Sequence, residues 1–303
     1  MRYIKSFIND AAIQEAVDNK SLGKPYVALN DQTGKIDWNG KEETDYSKMY
    51  LTIEALEDGE VILRSSSAYF SINGGEWTLG STINVSNGDK IRFKSDNFYS
   101  TPFSGNTLAF NVYGNIESLE YGDNFVGQTS NNVAFTGLFR DCTGLVDASN
   151  LVLPATTLAG SCYHTMFRGC TNLTTAPELP ATTLADKCYY NMFRDCTSLT
   201  TAPALPATTL VNQCYTSMFY GCTSLTTAPV LPAATLVDNV CYGGMFNGCT
   251  NLNYIKCLAT NPGSNTSSWL QGVSPTGTFV RAEGVLWPVG ANGIPEGWTV
   301  IEE

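Results

Sequence analysis

The chain holds one histidine and 28 acidic residues among its 303, and these bound the chemistry open to it. Every triad that needs an imidazole base would have to use His164. His164 occupies a repeated position whose counterparts are Tyr190, Thr216 and Gly243, so nothing about the position calls for a base. No HExxH zinc motif, P-loop, dinucleotide-binding glycine pattern or EF-hand loop is present. Glycoside hydrolysis needs only two carboxylates, and one acidic pair recurs regularly, Asp141 and Asp195, two repeat units apart. At roughly 5 Å per unit they would lie about 10 Å from each other, just beyond the spacing glycosidases use. No cofactor and no metal are expected.

The ten cysteines point to packing rather than reaction. Eight form Cys-x7-Cys pairs (162/170, 188/196, 214/222 and 241/249), with Cys142 and Cys257 at the ends. On a helix, residues eight apart are about 12 Å apart along the axis, too far to bridge. Zinc sites want closer spacing and usually histidine partners. Small buried apolar residues in a reduced ladder are the reading these spacings favour.

What positions these residues is a repeat. The segment that starts at Ala155 and ends at Pro180 returns in near copies at 181–206 and 207–232. A looser copy with one extra residue covers 233–259, and a degenerate one runs from about Val133 to Pro154. A fixed period of 26 residues lies in the range where each repeat is one coil of a solenoid. Within a coil, Cys188, Met192, Phe193 and Cys196 share one face of a helical segment, while Lys187, Tyr190, Asn191 and Arg194 point away. Pro203 and Pro206 donate no ladder hydrogen bond, so Leu199 to Leu205 reads as a turn and a short extended piece rather than a steady strand. One coil offers about six apolar side chains worth ~1.5–3 kcal/mol each, too few to offset ordering its backbone at ~1–2 kcal/mol per residue. Coils must therefore cover each other, and the ends need caps.

The stretch from Met192 to Leu210, read as Met-Phe-x-x-Cys-Thr-x-Leu-x-x-Ala-x-x-Leu-Pro-x-x-x-Leu, resembles the BspA-like (treponemal-type) leucine-rich repeat. The chain departs from that family's usual unit in being about three residues longer per coil. It also has Met where the family prefers Ala, and Ala-Pro where a strand Ile is expected. The resemblance covers about 130 residues. It implies a curved solenoid used for adhesion or recognition at surfaces, without intrinsic chemistry.

Composition narrows the partners. A formal net charge of −11 argues against nucleic acid, which needs a basic footprint. Only 15% of residues are charged while Thr, Asn, Ser, Gly and Tyr abound. Such a surface suits sugars or other proteins, and is equally the plain exterior of a β-rich protein. No stretch approaches 18 apolar residues, so no membrane span is expected. The first ten residues lack a signal-peptide core and cleavage site. A BspA-like adhesin would normally carry an export signal. Its absence is read as a shortened chain, an intracellular protein, or one that leaves the cell by lysis inside a phage particle.

In chain order, 1–46 reads as a head. Asn9 or Asp10 caps a short helix to about Val17, and Tyr26–Asn30 and Lys35–Trp38 flank a hairpin turn. The head resembles N-terminal segments of structural proteins in phages of anaerobic gut bacteria. Residues 47–127 read as a β-sandwich or jelly roll, with strands at Tyr50–Ala55, Glu60–Arg64, Tyr69–Ile72, Glu76–Leu79, Thr82–Val85, Asp89–Lys94 and Leu108–Val112. Asp58-Gly59, Asn73-Gly74-Gly75 and Asn87-Gly88 between them are hairpin signals. Trp77, Phe98, Tyr99 and Phe103 could form an aromatic sugar platform; the favoured reading puts Trp77 in the core with the others covering a loop. Residues 128–259 are the repeats. Residues 260–303, with Trp269, Leu270, Val273, Phe279, Val280, Trp287, Ile294 and Trp298, read as a C-terminal cap. The expected class is a multi-domain, β-rich protein: a β-sandwich or jelly roll, then a leucine-rich-repeat solenoid with its cap.

Comparing the coils with one another separates packing from surface. Leu158/184/210/236, Phe167/193/219/246 and Cys170/196/222/249 hardly change. The rows His164/Tyr190/Thr216/Gly243, Thr165/Asn191/Ser217/Gly244 and Arg168/Arg194/Tyr220/Asn247 change freely. Arg168, Tyr190, Arg194 and Tyr220 are the candidate binding residues, because arginines and aromatics carry most interface energy; a solvated face under no constraint is the alternative. The expected function is non-enzymatic binding, most concretely a virion fibre or receptor-binding component located in a phage particle. The alternatives are a bacterial surface adhesin and a carbohydrate-active enzyme. Expected partners are a surface glycan or protein receptor, other virion or surface proteins held by the head, and further copies of the chain in a homo-oligomer.

Overall fold

The structure, a computed structural model, describes residues 44–64, 68–95, 103–130, 135–236, 240–262 and 264–303. The expected helix and hairpin of the head, and Phe98 and Tyr99, lie outside the described residues. Residues Ser47–Glu303 form one compact unit, β-rich and with almost no helix.

Seven short strands come first, one at each place the alternating pattern predicts: β1 (Leu51–Ala55), β2 (Gly59–Ile62), β3 (Tyr69–Ile72), β4 (Thr78–Leu79), β5 (Thr82–Val85), β6 (Lys90–Lys94) and β7 (Phe110–Asn115). The turns between them follow from residue type. Asn73 and Gly74 take φ of 50° and 81°, and the Asn73 side chain closes the turn by accepting from the Lys90 amide at 2.9 Å. β4, β3, β6, β1 and β7 pair in that order, antiparallel throughout, and β2 pairs with β5 in a separate two-stranded ribbon. The ribbon's Val61, Ile83 and Val85 are buried in the same core as Leu51, Ile53, Ile91 and Phe93 of the sheet. A single helical turn, α1 (Ser118–Tyr121), follows β7.

The repeats begin at β8 (Leu145–Val152), which joins the sheet parallel to β7. A parallel ladder then runs from coil to coil: Asp147 bridges Thr175, Thr175 bridges Thr201, and Thr227 bridges Tyr254. It ends in three parallel strands, β9 (Tyr254–Cys257), β10 (Thr278–Arg281) and β11 (Thr299–Glu302). Among the described residues between β8 and β9 there are isolated bridges and no strands. Proline explains the difference. Pro177, Pro203 and Pro229 follow Leu-Thr-Thr-Ala in the three middle coils, whereas Ser149 and Lys256 hold that place in β8 and β9. Only the latter can donate to a neighbouring strand. In the middle coils threonine hydroxyls make part of the link instead, as Thr197 and Thr223 donate to the carbonyls of Thr171 and Thr197 at 3.2 and 3.3 Å.

The opposite side of each coil corrects the helical expectation. Residues 160–169, 186–195 and 212–221 form chains of tight turns with no α-helix. Every second amide bonds three residues back, as His164 to Ser161 and Met166 to Tyr163, and the alternate amides bond the next coil, as Tyr163 to Cys188 and Phe167 to Met192. Positive φ recurs every fourth residue, at Lys187, Asn191 and Asp195 with 57°, 55° and 62°. The true period is therefore four, with two residues in and two out. Cys188, Met192, Phe193 and Cys196 are fully buried as expected, and Tyr189 joins them.

Those inward rows stack as ladders. Phe103, Phe139, Phe167, Phe193, Phe219 and Phe246 lie ring on ring with centroids 5.3–5.6 Å apart. Phe135, Tyr163, Tyr189, Tyr215, Tyr242 and Trp269 form a second ladder at 5.8–6.2 Å. The second cysteine of each coil donates its S–H to the phenylalanine carbonyl one coil back, Cys196 to Phe167 at 3.0 Å and Cys222 to Phe193 at 3.1 Å. Stacking does not stop at residue 259. Phe246 and Gly248 donate to the carbonyls of Trp269 and Gln271, so 265–271 repeats the turn segment, and Phe279, Trp287, Ile294 and Trp298 are buried beyond it.

Candidate functional site

The four sequence-picked residues fall in two neighbouring outward rows. Asp141, Gly169, Asp195, Gly221 and Gly248 donate to the carbonyls of Arg168, Arg194, Tyr220, Asn247 and Gln271. One row therefore runs Arg140, Arg168, Arg194, Tyr220, Asn247, Gln271. The Arg194 guanidinium lies 4.3 Å from the Tyr220 ring centroid, and the Asn247 amide donates to Gln271 Oε1 at 3.2 Å. Tyr190 belongs to the adjoining row, where His164 meets it edge-on at 5.2 Å. Gln271 was invisible as a member, because its coil lacks the repeat's consensus, whereas Arg140 could have been found, since 139–145 matches 193–199 as Phe-Arg-Asp-Cys-Thr-x-Leu.

The third outward row does not vary freely. Thr165, Asn191, Ser217 and Gly244 have φ of 55°, 55°, 52° and 59°, and Thr165 and Asn191 are buried. They stay small and polar because the turn needs a left-handed residue there. Asp141 and Asp195 are also set by the turn. Their carboxylates fold over Gly169 and Gly221 of the next coil, where a Cβ would sit 2.4 and 2.6 Å from the Oδ1 atoms. Arg140 and Arg194 pair with them at 3.2 and 3.3 Å.

The groups able to react are subdued. His164 is held below its usual pKa, first by burial and then by Lys187, Arg140 and Arg168, so it is neutral at pH 7. All ten cysteines are buried and unbridged. Burial pushes Cys142, Cys162, Cys188, Cys249 and Cys257 up to about 12, which leaves no thiolate for attack or metal binding. Among the described residues no group of three His, Cys, Asp or Glu could hold a metal ion. No described helix is long and apolar enough to cross a membrane. Glu117 is fully buried and neither carboxylate oxygen closes a hydrogen bond among the described residues. Burial raises its pKa, and the nearby Ser130 offsets only part of that.

No family model, curated protein or solved structure matches this chain.

The second concentration of function-bearing groups lies on the outer face of the first sheet and corrects the aromatic reading. Phe103 is fully buried, stacked on Phe139. Trp77 is only half-buried. It packs edge-on against Tyr50 at 5.1 Å, with Lys94 Nζ 4.5 Å and Arg92 Cζ 5.3 Å from its centroid. Alternation on β6 decides this: Ile91 and Phe93 face the core, so Arg92 and Lys94 must face outward. Lys94 donates to both oxygens of Asp123 at 2.8 Å, and the Tyr50 hydroxyl donates to Asp123 Oδ1 at 2.6 Å. The Lys94 bond, then the Tyr50 bond, hold Asp123 below the usual carboxylate range. Burial first, then Asp123, raises Tyr50 to about 12.

Proposed function

We propose that the protein is a non-enzymatic binding module, a leucine-rich-repeat solenoid of the BspA-like kind behind a β-sandwich, whose outward rows recognise a surface receptor. One observation carries this. The inward ladders and the left-handed row are constrained, while the rows of Tyr190 and of Arg168, Arg194 and Tyr220 are half-exposed and differ from coil to coil. Arginine and tyrosine at adjacent coils, already in cation–π contact at 4.3 Å, are the groups interfaces use as anchors. In its most concrete form this is the receptor-binding component of a virion fibre, held to its particle by residues 1–46, with a glycan or protein receptor. The resemblance of the repeat and of the head supports that form.

The test replaces Arg168, Tyr190, Arg194 and Tyr220 together by Ser. Attachment to host cells should be lost while the thermal unfolding midpoint stays within a few degrees of the parent. Normal attachment by the folded quadruple variant would rule the strip out.

A further inference from the structure

The cavity beside Trp77 is built for a ligand of a definite kind. It measures about 210 Å³ and is lined by Tyr69, Trp77, Lys94, Ser95 and Asp123. Drug-sized sites run to roughly 300–1,000 Å³, so this one accommodates a single ring. Two of the five lining residues, Tyr69 and Trp77, are aromatic. Tyr69 is 40% exposed on β3, and Trp77 is half-buried.

Charge decides what sort of ring. Lys94 and Asp123 are paired at 2.8 Å, so the five lining side chains are neutral in sum, with Arg92 outside the lining at 5.3 Å from the Trp77 centroid. A cation would compete with Lys94 for the carboxylate, and an anion would meet the carboxylate head on. Either would leave one charge uncompensated in a partly desolvated place. A neutral polyhydroxyl ring meets neither difficulty. An ionised carboxylate offers about four acceptor sites. Lys94 and Tyr50 take three and fix the group's direction. The Asp123 side chain remains 61% exposed, open to a ligand hydroxyl. Lys94 is a donor beside it, and the aromatic faces suit the C–H face of a pyranose.

We infer that this cavity is a binding site for one neutral pyranose unit, with Asp123 as acceptor, Lys94 as donor, and Trp77 and Tyr69 as apolar walls. It is separate from the strip on the repeats and stands whether or not that strip binds a receptor.

The probes are glucose, galactose, mannose and N-acetylglucosamine, with glucuronate and glucosamine as charged counterparts, followed by saturation-transfer NMR and titration on the full chain. At least one neutral sugar should bind saturably, and the charged counterparts about ten-fold more weakly or worse. Asp123→Asn should weaken binding about ten-fold or more, the loss of a charge-assisted hydrogen bond, without moving the circular dichroism spectrum. Trp77→Ala should do the same, and if it does not fold, Tyr69→Ser tests the other wall. The quadruple Ser variant of the strip should bind sugar as the parent does. Absence of binding by every neutral sugar, equal binding of the charged ones, or full affinity in folded Asp123→Asn would each overturn the assignment.

Discussion

Gly221 and Gly248 share one backbone conformation, φ 73° and 77°, in different surroundings, and the pair exposes why Asp and Gly alternate along their row. A Cβ on Gly248 would meet only main-chain atoms of Gly221 at 3.7 Å, an ordinary contact, whereas one on Gly221 would sit 2.6 Å from Asp195 Oδ1. Alanine at Gly248 therefore bears only the left-handed backbone cost, ~1–2 kcal/mol. Alanine at Gly221 bears the same cost and must also push the Asp195 carboxylate aside. What that carboxylate gives up is its Arg194 pair at 3.3 Å, with side chains 32% and 44% exposed. Such a pair is worth at most ~1 kcal/mol, which puts Gly221→Ala at ~2–3 kcal/mol. Removing the Asp195 side chain then gives up nothing that Gly221→Ala has not already taken, so Asp195→Gly should be less costly in the Gly221→Ala background than in the parent by up to about 1 kcal/mol. Urea unfolding of the parent and these variants, followed by circular dichroism, measures all the terms. Equal losses at the two glycines, or the same effect of Asp195→Gly in both backgrounds, would refute the account of the alternation.

Phe193→Ala opens a gap between rings stacked at 5.4 and 5.6 Å and should cost ~3–5 kcal/mol. Arg194→Ala on the outward side should cost no more than about 1 kcal/mol, and equal costs would contradict the inward and outward assignment. Thiol titration without reductant should find close to ten free cysteines in denaturant and almost none reactive in the native protein, since all are buried; a majority of disulfides would contradict it. Burial holds the folded pKa of Glu117 above the ordinary glutamate value of 4.5, so the protein loses stability as pH rises from there towards the folded value. The unfolding midpoint of Glu117→Gln should therefore gain on the parent as pH rises from acid towards neutral, and a constant difference would show that the carboxyl is not the cause.

Much of this was legible in the chain. The seven strands before the repeats follow from alternation and Asn-Gly turns, and the lack of strands in the middle coils follows from Pro177, Pro203 and Pro229. The turn segment misled for a definite reason. Inward residues at Cys188, Tyr189, Met192, Phe193 and Cys196 satisfy a period of 3.6 and a period of four almost equally over so short a stretch. The discriminating signal was on the other side: Thr165, Asn191, Ser217 and Gly244, then Gly169, Asp195, Gly221 and Gly248, small or turn-forming residues every fourth place. Trp77 was misread because strand alternation on β6 fixes its neighbours, and Trp77 itself lies outside any strand. Arg92 and Lys94, not Trp77, carried the clue.

The hydrogen bonding of the turn segments also explains how surface identity came apart from stability. Each coil is tied to the next by main-chain amides at every second residue, Tyr163, Thr165, Phe167 and Gly169 in one coil, and by ring ladders and cysteine S–H groups inside. None of those ties passes through the side chains of the 164/190/216/243 or 168/194/220/247 rows. A substitution there leaves those main-chain bonds whole and removes at most a side-chain contact, such as Thr216 Oγ1 to the Val240 carbonyl or Asn247 to Gln271, so the rows hold His, Tyr, Thr and Gly, or Arg, Tyr and Asn, without losing the stack. The intervening rows enjoy less freedom, since their positive φ, from 52° to 77°, favours glycine and small or turn-forming residues, Thr165 being the one β-branched residue among them. Recognition by this face, where it occurs, must therefore be written in two stripes four residues apart, separated by small left-handed residues that cannot be recruited.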